Sequence, residues 1–169
     1  MNIKNLNIID TIKRAVRYDG TLYPEIEEKE EYNNQAILVI VLASLLSAIG
    51  IEGMDITGII ISFILELICC AFWVGIITAM VFKVLQVRID PVNFARCIGI
   101  ALFPLMLMIL AIIPYIGAYL AIASIIIAII SVIRVVIELT ELEVGLSVVL
   151  AMTGSIPFII MTFYLTYEG

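Results

Sequence analysis

Hydrophobic residues along this chain gather into long blocks separated by short polar interruptions. Five blocks stand out, at residues 36–52, 56–85, 94–113, 115–139 and 144–167. An α-helix rises about 1.5 Å per residue and needs about 20 apolar residues to cross the hydrocarbon of a bilayer. Each block is therefore predicted to be a spanning helix. The first is short, and the second is long enough to tilt or to run past the membrane surface. The pattern predicts an all-α, polytopic membrane protein. An N-terminal arm of residues 1–34 precedes a bundle of five transmembrane helices in residues 35–169.

The interruptions have the chemistry of helix ends. Gly50, Gly53 and Asp55 separate the first block from the second, and Asp90-Pro91 opens the third with a proline in its first turn. Pro114 and Gly117 make a tight turn into the fourth. Thr140 and Glu143 form a T-x-x-E capping box able to start the fifth. Pro104 and Pro157 lie inside blocks three and five, where each frees a carbonyl one turn earlier and marks a bend.

In the arm, Ile3, Leu6, Ile9, Ile12 and Val16 recur at helical spacing beside Lys13, Arg14 and Arg17, with Gly20 as a stop. This is the pattern of an amphipathic helix on the membrane surface; a helix packed under the bundle fits it equally well. Residues 25–31 hold five glutamates and one lysine. Such a run reads as a solvated helix face, or as a docking surface for a basic partner.

Basic residues give the orientation. Lys4, Lys13, Arg14, Arg17 and Lys29 precede the first span. Lys83, Arg88 and Arg96 flank the connection from two to three, and Arg134 lies near the end of span four. The loops around residues 53 and 114 and the C-terminal tail hold no Lys or Arg. All nine positive charges thus fall on one side, which the positive-inside rule makes cytoplasmic. The expectation is a multi-pass protein of the cell membrane, N-terminus inside and C-terminus outside. No cleavable signal peptide is expected, because the first long apolar run begins near Gln35 after an acid-rich stretch.

Composition sharpens this picture. Hydrophobic residues make up 63% of the 169 and charged residues 14%, and the mean hydropathy is +1.20. A soluble domain of this size could not hide so much apolar surface from water. The net charge of −6 argues against nucleic acid as a partner. Cys69, Cys70 and Cys97 lie in apolar surroundings and read as small packing residues, not as a disulfide framework.

One charge stands out. Glu66 falls near the middle of span two, where a lone carboxylate costs roughly 2.5–3.5 kcal/mol. It must face the bundle interior, find a partner or keep its proton. Ser62, Glu66, Cys69 and Trp73 share a helical face and form an inward polar stripe. The stripe is either a proton- or ion-binding site in a transport path or a buried hydrogen bond that fixes helix packing. Arg134 and Glu138, four apart, are expected to pair at the cytoplasmic end of span four. Depth along the helices puts Arg134 roughly 13 Å from Glu66. Gly117, Ala121, Ser124, Ala128 and Ser131 make a small-residue seam that buries against another span or a second subunit in a homo-oligomer.

No enzyme is expected. The sequence has no His, no intramembrane aspartate pair, no metal-binding Cys/His spacing and no glycine-rich nucleotide loop. No cofactor is implied.

The stretch Asn93-Phe94-Ala95-Arg96-Cys97-Ile98-Gly99 runs through Ile100-Ala101-Leu102-Phe103 to Pro104, and Ile113-Pro114-Tyr115-Ile116-Gly117 follows. This arrangement resembles the Yip (Ypt/Rab-interacting protein) domain family, whose third span carries G-x-x-x-x-P, here Gly99 and Pro104. Leu146-Ser147 through Met152 resembles the start of that family's last span. The likeness covers most of the chain from about residue 36, and the short arm is similar to compact prokaryotic members. It implies five spans, a cytoplasmic N-terminus, and a role in membrane organisation or trafficking through protein or lipid contacts. The alternative from the residues is a small transporter or channel using Glu66.

Overall fold

The computed structural model describes residues 8–17, 19–87 and 89–168. Two short helices, α1 (Ile8–Val16) and α2 (Leu22–Glu28), precede the long α3 (Tyr32–Glu52) and α4 (Ile56–Ala79). A π-helical turn, Met80–Val84, extends α4. Then come α5 (Pro91–Ala101), a 3₁₀ helix over Phe103–Ile112, α6 (Gly117–Thr140) and α7 (Val144–Glu168). Five of these stretches are long and apolar enough to cross a membrane, with α5 and the 3₁₀ helix together forming the third. The predicted all-α polytopic architecture is the observed one. Ile3, Leu6, Lys4 and Arg88 lie outside the described residues.

Helix boundaries follow the local chemistry. The Asp55 carboxylate accepts from the Thr57 N–H at 3.1 Å and starts α4. Asp90 accepts from the N–H groups of Val92 and Asn93 and starts α5, with Pro91 in the first turn. Gly53 takes φ +62°, a positive value that glycine adopts without strain, and closes α3. The expected capping box at Thr140 is not formed. Thr140 is the last residue of α6, its hydroxyl donates back to the Val136 carbonyl, and α7 begins only at Val144.

The largest departure lies in span three, which is not a single α-helix over 94–113. The α-helix ends at Ala101, and Pro104, which has no N–H to donate, enters a 3₁₀ helix of ten residues. This stretch is held on both sides by backbone contact. A Cβ on Gly50 of α3 would collide with the Met108 carbonyl, and one on Gly117 would collide with that of Ala111.

The spans form a closed arrangement. α3 packs on α4, α4 on α7, α7 on α6, and α6 on the 3₁₀ helix, which closes against α3. Span three is the most buried of the five. Outward-facing Ile60, Ile64, Ile68 and Phe72 on α4, and Ile122, Ile126 and Ile130 on α6, are exposed. Hydrocarbon, not water, suits such a surface. The expected small-residue seam faces inward: Gly117, Ala121, Ser124 and Ala128 are buried and Ser131 half-buried. The Ser124 hydroxyl donates to the Pro104 carbonyl at 2.6 Å, so the seam serves an intramolecular contact.

Candidate functional site

Two clusters of polar side chains stand out, one inside the bundle and one where the arm meets it. The inner cluster lies between α3 and α4. Serines recur on one face of α3 at Ser44 and Ser47, with Glu52 at its end, and on the facing side of α4 stand Ser62, Glu66 and Cys70. Glu66 is fully buried, and its Oε1 lies 2.8 Å from the Ser47 hydroxyl oxygen. That same hydroxyl oxygen lies 3.1 Å from the Met108 Sδ of the 3₁₀ helix. Glu66 Oε2 has no hydrogen-bond partner. One turn towards the 53–55 loop, the Ser62 hydroxyl donates to Glu52 Oε1 at 2.5 Å. One turn the other way, the Ser44 hydroxyl donates to Cys70 Sγ at 3.8 Å.

The sequence stripe of Ser62, Glu66, Cys69 and Trp73 is thus largely in place, with one change of member. Cys69 is half-buried and turns to α7, where its thiol donates to the Pro157 carbonyl at 3.9 Å. Cys70 takes the place beside Glu66. Trp73 is buried against Phe158 of α7, ring centroids 5.8 Å apart. Gly154 leaves the room that Trp73 occupies, since a Cβ there would press on the indole and on Ile77. An apolar recess of about 160 Å³ lies among α3, the 3₁₀ helix, α6 and α7, lined in part by Gly50, Ala111, Ala121 and Thr162; Glu66 is not in its wall.

The second cluster fastens the arm. α2 buries Leu22, Tyr23 and Ile26 against α5 and α6, which the glutamate-rich composition of residues 25–31 concealed. Arg96 of α5 reaches up from the start of span three and is almost wholly buried. Its Nη1 donates to the carbonyls of Ile26 and Lys29, both at 2.9 Å, and to that of Glu27 at 3.3 Å. Nε donates to Asn33 Oδ1 at 2.6 Å and Nη2 to Asn93 Oδ1 at 3.0 Å. One guanidinium therefore satisfies the carbonyls left open at the C-terminus of α2 and ties that helix to α3 and α5. In sequence Arg96 read only as a cytoplasmic charge; no spacing rule links it to residues 26–33.

Above it, Arg14 of α1 donates to Asp19 at 2.8 Å and to Glu25 at 2.7 Å, and Lys29 reaches Glu25 at 2.7 Å. Hydrogen bonds from Lys29 and then Arg14 hold the Glu25 carboxyl down at about 2. Those from Thr21 and then Arg14 hold Asp19 below the usual carboxylate range. The Thr11 hydroxyl donates to Gln35 Oε1 at 2.7 Å, which pins α1 at the first turn of the first span. α1 thus rests on α2, is tied to α3 through Thr11 and Gln35, and leaves Ile9 and Val16 exposed, with Lys13 and Arg17 beside them. Arg134 and Glu138 form the expected pair on α6.

The resemblance positions also have definite places. A Cβ on Gly99 would lie 3.2 Å from Ile40 Cδ1 and 3.4 Å from the Ala36 Cβ, so α5 and α3 approach closely there. Pro104 enters the 3₁₀ helix and offers its carbonyl to Ser124. Among the described residues no group of His, Cys, Asp and Glu is placed to hold a metal ion. Comparison with family models, curated proteins and solved structures finds no match.

Proposed function

We propose that the protein is a multi-pass scaffold of the Yip type in the cell membrane. Its N-terminal cap lies on the cytoplasmic face, and it acts in membrane organisation or trafficking through contacts with lipid headgroups and a protein partner. The reading is non-enzymatic. The observation that carries it is the fastening of the arm: Arg96, Arg14 and the Thr11–Gln35 bond make α1 and α2 a fixed part of the bundle. A fixed cap presents a surface whose ordering cost is met by folding, not at each encounter. Its two outward sides differ in chemistry. One carries Ile9, Val16, Lys13 and Arg17, suited to an anionic headgroup layer. The other carries exposed Glu28, Glu30 and Glu31, suited to a basic protein surface.

The test is a photo-crosslinking residue at position 30 in cells, with and without Glu28→Lys and Glu31→Lys together. A discrete adduct present in the parent and absent in the reversed variant is expected. An identical set of adducts in both removes the acidic side as the interface.

A further inference from the structure

The Ser47 hydroxyl sits between two groups that compete for its single hydrogen. A carboxylate accepts only, a thioether accepts only, and a serine hydroxyl has one hydrogen to donate. Yet the Ser47 oxygen lies 2.8 Å from Glu66 Oε1 and 3.1 Å from Met108 Sδ. If Glu66 were ionised, Ser47 would have to leave either the carboxylate or the sulfur without a donor. The second carboxylate oxygen, fully buried, would then hold charge with no donor at all. Among the described residues no cation pairs with Glu66. Its titratable neighbours are Glu52 on α3 and Cys69 and Cys70 on its own helix, and the 3₁₀ helix brings the Met108 thioether to Ser47.

A proton on Oε1 resolves the conflict. The acid then donates to Ser47, Ser47 donates to Met108, and the remaining atom without a partner is a neutral carbonyl oxygen, whose burial costs far less than that of a charge. We propose that Glu66 is a proton-binding site in the interior of the bundle, occupied in the folded protein, and that its proton completes a donor chain Glu66–Ser47–Met108 joining α4, α3 and the 3₁₀ helix. One proton is taken up per carboxylate, with no other change in bonding. The inference stands apart from the role of the cap, and a failure of either leaves the other intact.

Infrared difference spectroscopy of the full-length protein in lipid at neutral pH, wild type against Glu66→Gln, reads the site directly. The expected result is a carbonyl stretch of a protonated acid above the amide I region that moves in D₂O and is lost in the variant. Carboxylate stretches in its place would overturn the proposal. Ser47→Ala, which removes the acceptor and leaves the acid, provides an assignment that does not depend on Glu66→Gln folding. The acid band should move to the higher frequency of a carboxyl without a hydrogen bond. An unmoved band shows that the acid does not donate to Ser47 and sinks the chain.

Discussion

At the scale of single residues, Arg96 carries the attachment of α2 to the bundle. Its five hydrogen bonds gather three carbonyls at the end of α2 and two asparagine side chains, all in a buried setting. Arg96→Ala strands those carbonyls, and the expected loss is about 3 kcal/mol, read as a lower midpoint in denaturant titration of the detergent-solubilised protein. Arg96→Lys should recover only part, because an ammonium cannot reproduce a planar fork. Glu25 contributes differently. Its folded value is depressed from 4.5 to about 2, and Asp19 is depressed in the same sense. A carboxylate of this kind stabilises the fold fully above its unfolded value and loses that contribution as pH falls through the folded one. The cap should therefore loosen from pH 4.5 towards about 2, seen as faster amide exchange in α1 and α2 after correction for the intrinsic rate. Glu25→Gln should be looser already at neutral pH and lose much of that acid response. Sequence reading found Glu66 because burial of a lone acid is visible in one dimension. It put Cys69 beside Glu66 where the fold puts Cys70. Adjacent residues lie about 100° apart on a helix, so membership at the edge of a face depends on where the neighbours stand.

At the scale of elements, span three separates what the pattern shows from what packing decides. Hydropathy marks residues 94–113 as one span, and the position of that span is right. Its helix type follows from contacts that no local rule contains. Ten residues of 3₁₀ helix cover about 20 Å where an α-helix covers about 15 Å, and they make a thinner rod. The poorer hydrogen-bond geometry is offset here by close approach from both sides. Gly50 admits the Met108 carbonyl to the surface of α3, and Gly117 admits that of Ala111 to the surface of α6. Gly50→Ala and Gly117→Ala place a Cβ against backbone that cannot yield as a side chain would, and each should cost about 1–3 kcal/mol. Gly75, exposed on α4 with nothing within 4 Å of an added Cβ, is the control. Gly75→Ala should hold or raise stability through helix propensity, by up to about 1 kcal/mol. Thermal melts in one detergent compare all three, and equal losses at positions 50 and 75 would show that backbone contact does not hold the 3₁₀ helix. The same dependence on context explains Thr140. Its T-x-x-E spacing to Glu143 is that of a capping box, but α6 runs on through Thr140 and α7 begins only at Val144, so Thr140 does not stand at the N-cap of the last helix.

At the scale of the whole molecule, five alternating spans sort the chain into two chemically distinct ends. The end that carries α1 and α2 also carries Lys13, Arg14, Arg17, Lys29, Lys83, Arg96 and Arg134. The other end has the turns after α3 and before α6, where Met54 and Tyr115 are almost fully exposed and the charges are Glu52 and Asp55. The proposed orientation rests on this asymmetry, since a bilayer whose inner surface is anionic retains basic segments on that side. Single cysteines at positions 20, 54 and 115, in a background with Cys69, Cys70 and Cys97 replaced, test the arrangement with a membrane-impermeant thiol reagent on intact cells. Positions 54 and 115 should label from outside and position 20 only after the membrane is opened. Labelling of 20 with 54 would break the alternation of spans and with it the bundle. Labelling of 20 alone would keep the bundle and invert it, which would overturn the proposed cytoplasmic placement of the cap and, with it, the proposed pairing of Lys13 and Arg17 with anionic headgroups.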